Sequence, residues 1–314
     1  MSARTHLVVG AGPIGSAVVR RLVAGGDTVR LVTRSGSGPE LPGVERIAAD
    51  AGDADRLATL ARGADVVYNC ANPAYHRWVT DWPPIAQAVL SAAEASGAVL
   101  VTCSNLYGYG PVSGPMTEDL PLAAPFTKGR VRAQMWQDAL AAHTAGRVQV
   151  TEARGADYVG PGAESHLGDR TIPKLLAGKK VSVMPSADSL HTWTYTEDMA
   201  ATLVAIGGDE RAWGRPWHVP SALTVSQREA LERLAVLAGA PAPRITTYSP
   251  LLLKALGLVS PMIRELPEVA YQLEHDFVLD SSAAQRELGL VPTPAVDVLE
   301  AILTPYVASA RHAA

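Results

Sequence analysis

The sequence predicts an α/β protein built on a doubly wound parallel sheet, with a smaller lobe toward the C-terminus. Three observations carry this expectation. Short apolar runs alternate with amphipathic helical stretches through the first half, the pattern of successive βαβ units. A glycine-rich turn, Gly10-Ala11-Gly12-Pro13-Ile14-Gly15, separates the first apolar run from the first helical stripe. At 314 residues, 47% hydrophobic and 18% charged, the chain can bury one large core or two interlocked ones and is too apolar to be disordered.

Taken in order, Leu7–Val9 reads as the first strand. The helix after it carries Ile14, Val18 and Leu22 on one face and turns Arg20 and Arg21 away. Pro13 suits its first turn, where a missing N–H costs nothing. Further strands are expected at Val29–Val32, Glu45–Ala48, Val66–Tyr68, Ala98–Thr102 and Val148–Ala153. Leu57, Leu60 and Ala61 stripe a second helix, and Ile85, Val89 and Ala92 a third. Pro/Gly clusters mark loops at Ser35–Gly43, Gly108–Pro125, Gly155–Gly162 and Gly214–Pro220. Beyond about Pro161 the alternation becomes irregular and more helical. The expected organisation is a dinucleotide-binding domain over 1–160, with segments returning near 190–220, and a mostly substrate-binding lobe over 161–314.

Composition excludes several functions. The net charge of −4 leaves no basic footprint for nucleic acid or anionic lipid. No uncharged apolar stretch approaches the ~18 residues of a membrane span. Two cysteines, Cys70 and Cys103, cannot make a disulfide framework, so a reducing, cytoplasmic location is expected. His191, His218 and Cys103 lack metal-ligand spacing, and no metal site is expected. No Gly-x-Ser-x-Gly elbow of a serine hydrolase is present.

The glycine turn follows a strand and opens a helix, the context in which it binds a dinucleotide. Gly10 makes the tight turn, Gly12 lets the backbone approach a pyrophosphate, and Gly15 permits close helix–strand packing; the helix N-terminus at Pro13 and Ile14 favours the anion. An acidic residue about 20 positions on would favour NAD. The segment there, Val29 to Ser35, has no carboxylate. Thr33 and Ser35 can hydrogen-bond a 2′-phosphate and Arg34 can pair with it. NADP(H) is the expected cofactor.

Several motifs, in order, resemble those of the extended short-chain dehydrogenase/reductase family, in its NAD-dependent epimerase/dehydratase branch with a Rossmann-like fold. Asp50-Ala51-Gly52-Asp53 resembles the acidic turn after strand three, where the first Asp meets adenine. Asn69-Cys70-Ala71 is similar to the strand-four end beneath pyrophosphate and ribose. Ser104-Asn105-Leu106-Tyr107-Gly108 resembles "S-x-x-V-Y-G", and Arg154 through Gly162 the strand-six motif lining the nicotinamide. Thr194 through Ala200 and Asp280 through Pro292 resemble two later family segments. The resemblance implies a homodimer.

The family's Ser/Thr, Tyr and Lys are not all matched. Within Pro125-Phe126-Thr127-Lys128-Gly129-Arg130, Phe126 stands at the Tyr position and Arg130 at the Lys position; Cys103 stands at the Ser/Thr position, with Ser104 beside it. Phenylalanine cannot exchange a proton, and positioned acid–base catalysis is worth roughly 10²–10⁴-fold. Arg130 can hold ribose hydroxyls. Replacement donors are Tyr158 and Tyr75, ahead of Ser104 and Cys103, while His76, Asp157, His191 and His218 are further candidates. Sugar-nucleotide members resemble one another in an Arg-x-Gly-Asp stretch that grips the diphosphate. The equivalent Glu268–Asp276 is acidic, and Pro250–Ile263 is largely apolar. The expected function is therefore an NADP(H)-dependent oxidoreductase of a small, mainly apolar carbonyl or alcohol. Two alternatives stand beside it: a non-redox isomerase, dehydratase or cyclase on the same scaffold, and an NADP-sensing regulatory protein.

Overall fold

A computed structural model of the chain describes residues 3–249, 265 and 268–312. The apolar segment Pro250–Ile263, expected to line a pocket, lies outside the described residues. Seven parallel strands form the central sheet: β1 (Thr5–Val9), β2 (Thr28–Thr33), β3 (Val44–Ala48), β4 (Val66–Asn69), β5 (Val99–Asn105), β6 (Val150–Gly155) and β10 (Pro216–His218). Their spatial order is β10-β6-β5-β4-β1-β2-β3. Each strand expected in the first half is present. The order reverses between β1 and β4, the kind of switch point beside which open α/β sheets bind ligands. Val9 pairs with Val32 on one side and with Asn69 on the other, so β1, β2 and β4 end side by side.

Both faces of the sheet are covered, as a parallel sheet requires. On one face, Ala17, Val18 and Leu22 of α1 (Pro13–Ala24) meet Met199, Leu203 and Ile206 of α6 (Thr196–Gly207) over Val8, Leu31 and Val101. On the other, α2 (Ala54–Ala61), α3 (Trp78–Ser96) and α4 (Thr127–Thr144) bury Leu57, Val89, Ala92 and Trp136 against Leu7, Val67 and Leu100. β3 closes one edge with Glu45 and Arg46 exposed, charges that discourage further strand pairing.

The remaining elements build a lobe with its own core. β7 (Asp157–Val159), β9 (His191–Tyr195) and β11 (Leu223–Val225) form a three-stranded sheet, and β8 (Lys180–Val183) pairs with β12 (Arg244–Thr247). Trp193, Leu231, Leu234, Leu299 and Ile302 fill this core with residues of α5 (Ile172–Leu176), α7 (Gln227–Leu237) and α10 (Ala295–His312). α8 (Tyr271–Glu274) and α9 (Ser282–Leu288) complete the described elements. Among the described residues no helix is long and apolar enough to cross a membrane.

Candidate active site

The glycine turn lies where β1, β2 and β4 end side by side. Gly10 takes φ +102°, and a Cβ there would stand 2.5 Å from the Cys70 carbonyl oxygen. A Cβ on Gly15 would stand 2.0 Å from the Gly10 carbonyl oxygen. Those two glycines are required by the chain's own packing. Gly12 is different: a Cβ there meets nothing within 4 Å, so the space over its backbone is open. No side chain caps α1 at Gly12, which leaves first-turn N–H groups facing that space. A pyrophosphate fits such an opening.

The other residues expected to hold a cofactor stand at or after the ends of β2, β3 and β4. Asn69 is buried at the end of β4, its Oδ1 accepting from the Ala71 N–H at 3.4 Å, and Cys70 lies beneath Gly10. Asp50 is exposed after β3 and accepts from the Gly52 N–H at 2.9 Å, with Ala51 half-buried beside it. After β2, the Thr33 hydroxyl donates to the Ser37 carbonyl at 2.9 Å, and the Ser35 and Ser37 hydroxyls stand 2.8 Å apart. These bonds shape the loop, so Thr33 is committed to it and Arg34 is the exposed cation at its tip. Gly162, after β7, lies over Pro13, a Cβ there reaching 3.5 Å from its Cγ.

Cys103 and Ser104 stand at the end of β5. Burial pushes the Cys103 thiol up to about 11. Ser104 is buried, and its carbonyl accepts the Tyr158 hydroxyl. That bond ties Tyr158 to β5 and uses its proton, while burial raises its phenol well above the usual range. Tyr75 lies elsewhere, between Trp78 and Tyr107, so the structure does not bring the two expected phenols to one point.

Helix α4 turns a different face inward from the one expected. Phe126 precedes the helix in extended conformation and stacks on Tyr271, ring centroids 5.6 Å apart. Arg130 is exposed and donates to the Pro125 carbonyl and to Thr127 Oγ1. The buried cations of the helix, one turn apart, are Lys128 and Arg132. Lys128, 2% exposed, donates through Nζ to Glu268 at 3.1 Å and to Glu265, and sits 4.7 Å over the Tyr75 ring. Arg132 is held between Trp78 and Trp82, at 4.6 and 4.3 Å from their centroids.

Beside this face, Tyr107, Asp157, His166 and Gln272 line a small cleft with Met184, Val269, Ala270 and Leu273. Burial raises the phenols of Tyr75 and Tyr107, so both stay neutral hydrogen-bond donors. Of the later histidines, His191 lies against Asp157, whereas His218 is buried away from the cleft in contact with Tyr109. Residue patterns missed Lys128, Tyr107, His166 and Gln272. Tyr107 was legible in principle as the residue three beyond Ser104 at a strand end, and Lys128 as the cation two before Arg130. His166 and Gln272 come from loops and a short helix whose sequences carry no periodic signal.

The model of the NAD-dependent epimerase/dehydratase family matches residues 6–216. Similar solved structures include a dTDP-glucose 4,6-dehydratase of Streptomyces venezuelae, 22% identical over 96% of each chain, TM-score 0.76. An epimerase of Methanothermobacter thermautotrophicus is 18% identical over 99% of this chain and 95% of its own, TM-score 0.81. A UDP-glucuronic acid 4-epimerase of Bacillus cereus, in complex with UDP-glucuronic acid and NAD, is 20% identical over 95% of this chain and 97% of its own, TM-score 0.77. At these identities the likeness is one of fold. No curated protein matches the sequence significantly.

Proposed function

The chain belongs to the NAD-dependent epimerase/dehydratase family, and from that premise we propose that it is an NADP(H)-dependent oxidoreductase of a small carbonyl compound or alcohol. The observation that carries the reading is the position of the cleft. Tyr107 and Asp157 line it, and they follow the carboxyl ends of β5 and β6, the same edge that holds the open space over Gly12. When bound, a nicotinamide supplies or takes up a hydride.

The chain's residues support the finer points. The absence of a carboxylate after β2 and the exposed Arg34 favour a 2′-phosphate. Asp157 is the carboxylate among the cleft's lining residues, and a negative charge there disfavours a diphosphate. Met184, Val269, Ala270 and Leu273 offer an apolar wall, and Tyr107 lines the same cleft.

A second reading, a nucleotide-sugar epimerase or dehydratase, is favoured by the likeness of the whole chain to enzymes of that kind. One set of measurements separates the two. Calorimetric titration of dinucleotide-free protein with NADPH and NADH is expected to give micromolar NADPH binding and much weaker NADH binding. Small ketones and aldehydes are then expected to consume NADPH. Tighter NADH binding, together with stabilisation by a UDP- or dTDP-sugar, would replace the proposal with the second reading.

A further inference from the structure

Arg132 is 8% exposed, and its Nε and Nη1 are buried with no hydrogen-bond partner. Its guanidinium lies over the indole rings of Trp78 and Trp82, 4.6 and 4.3 Å from their centroids. Those π faces attract the cation but accept its N–H groups only weakly. The indole N–H of Trp82 is likewise buried without an acceptor. Burial presses against the charge, yet a guanidinium keeps its proton at neutral pH. A charged donor buried without an acceptor costs stability, so its presence calls for a reason.

The chain's own carboxylates do not answer it. Glu152 is taken by Arg154 Nε at 2.6 Å. Glu265 and Glu268 are taken by Lys128, one turn before Arg132 on α4. Among the described residues no ion pair forms at Arg132. Its charge is felt by Cys103 at the end of β5 and by Tyr107 beyond it, both half-buried, so the β5 end is partly open. Tyr107 also lines the cleft, and the guanidinium and the cleft thus share a neighbour.

We propose that Arg132 binds a carboxylate of the substrate, which makes the preferred compound a small oxo acid or the corresponding hydroxy acid. The proposal rests on the oxidoreductase reading above and narrows it. The charged groups of NADP(H) have other places: the pyrophosphate over Gly12 after β1, and the 2′-phosphate at Arg34 after β2. β5 stands two places from β1 in the sheet, with β2 on the far side. At ordinary strand spacing the β5 end is roughly 10 Å from the glycine turn. The acceptor for Arg132 is therefore a group of the other ligand. A carboxylate matches the guanidinium in charge and in planar, two-oxygen geometry. Its single charge is met by Arg132, whereas a diphosphate would set a second one against Asp157. A neutral ketone leaves the buried donors unanswered, and a site built on such donors rejects it.

The first readout needs no ligand. Arg132→Met keeps an apolar stem against the two indoles and removes the unanswered charge, so the free protein should melt at or above the parent's temperature. A clear drop would show that the guanidinium holds the fold together and would overturn the proposal. The second readout is calorimetric binding, with and without NADP+. The parent should bind 2-oxobutanoate and 4-methyl-2-oxopentanoate roughly 10–100-fold tighter than butanone and 4-methylpentan-2-one, their neutral counterparts. Arg132→Met should erase that preference and leave NADPH affinity unchanged. Arg132→Lys keeps the charge without the planar fork and should fall between. Equal binding of acids and ketones by the parent, or binding of neither, would overturn the proposal. Loss of NADPH affinity in Arg132→Met with oxo-acid binding intact would overturn it too, and would give the guanidinium to the dinucleotide. If NADPH fails to bind the parent, the oxidoreductase reading falls, while oxo-acid binding without dinucleotide still decides the role of Arg132.

Discussion

The Tyr109 hydroxyl lies 2.8 Å from His218 Nε2. The same oxygen accepts from Arg154 Nη1 at 2.6 Å, and Arg154 Nε donates to Glu152 at 2.6 Å. His218 Nδ1, 2.9 Å from the Asp280 carbonyl, carries the ring proton, so Nε2 accepts from Tyr109. Every member of this buried chain is satisfied in one direction, from Arg154 through Tyr109 to His218. It joins β6, the turn after β5, β10 and the segment before α9.

Tyr109→Phe removes the acceptor of a buried guanidinium and the donor to a buried imidazole. A loss of about 2–4 kcal/mol is expected, read from urea or guanidinium unfolding. A change within experimental scatter would mean the network contributes nothing net.

Acid should weaken the fold over a defined range. Burial lowers the His6, His166 and His218 imidazoles from their ordinary 6.5. The unfolded chain therefore binds protons before the folded one does, and stability rises with pH where that difference exists. The contribution is complete above about pH 6.5 and is lost as pH falls from there through the lower folded values. Melting temperatures between pH 8 and pH 5 should show the decline, and His218→Gln should flatten it.

The two glycines of the turn should respond oppositely. Gly15→Ala places a methyl 2.0 Å from the Gly10 carbonyl oxygen and should cost about 2 kcal/mol or more. Gly12→Ala meets no atom of the chain within 4 Å and should stay within about 1 kcal/mol of the parent, while weakening NADPH binding at least tenfold. Equal stability losses in both would show that the space over Gly12 is not kept for a ligand.

Arg34 is expected to discriminate between the dinucleotides. A charge-assisted bond to a 2′-phosphate is worth about 1.5–3 kcal/mol, so Arg34→Ala should weaken NADPH roughly 10–100-fold and leave NADH unchanged. Calorimetry on both ligands decides it. Parallel losses would assign Arg34 to the adenine instead.

The sequence by itself determined the scaffold. The apolar runs at Leu7–Val9 and Val29–Val32 and the period-3.6 stripe of Ile14, Val18 and Leu22 are local signals, each sufficient to place an element. The glycine turn was legible for the same reason, since Gly10 and Gly15 answer to steric limits within a few residues and one neighbouring strand. The substrate side was not. The inward face of α4 carries Lys128 and Arg132, which no apolar periodicity marks, and their burial depends on Tyr75, Trp78, Trp82 and Glu268 arriving from distant elements. Asp157 and His191 are 34 positions apart in sequence, and only the parallel pairing of β7 with β9 brings them to 3.3 Å. A local pattern can say which face of an element is apolar. The meeting of two polar groups on neighbouring strands is decided by the packing of elements the pattern does not connect.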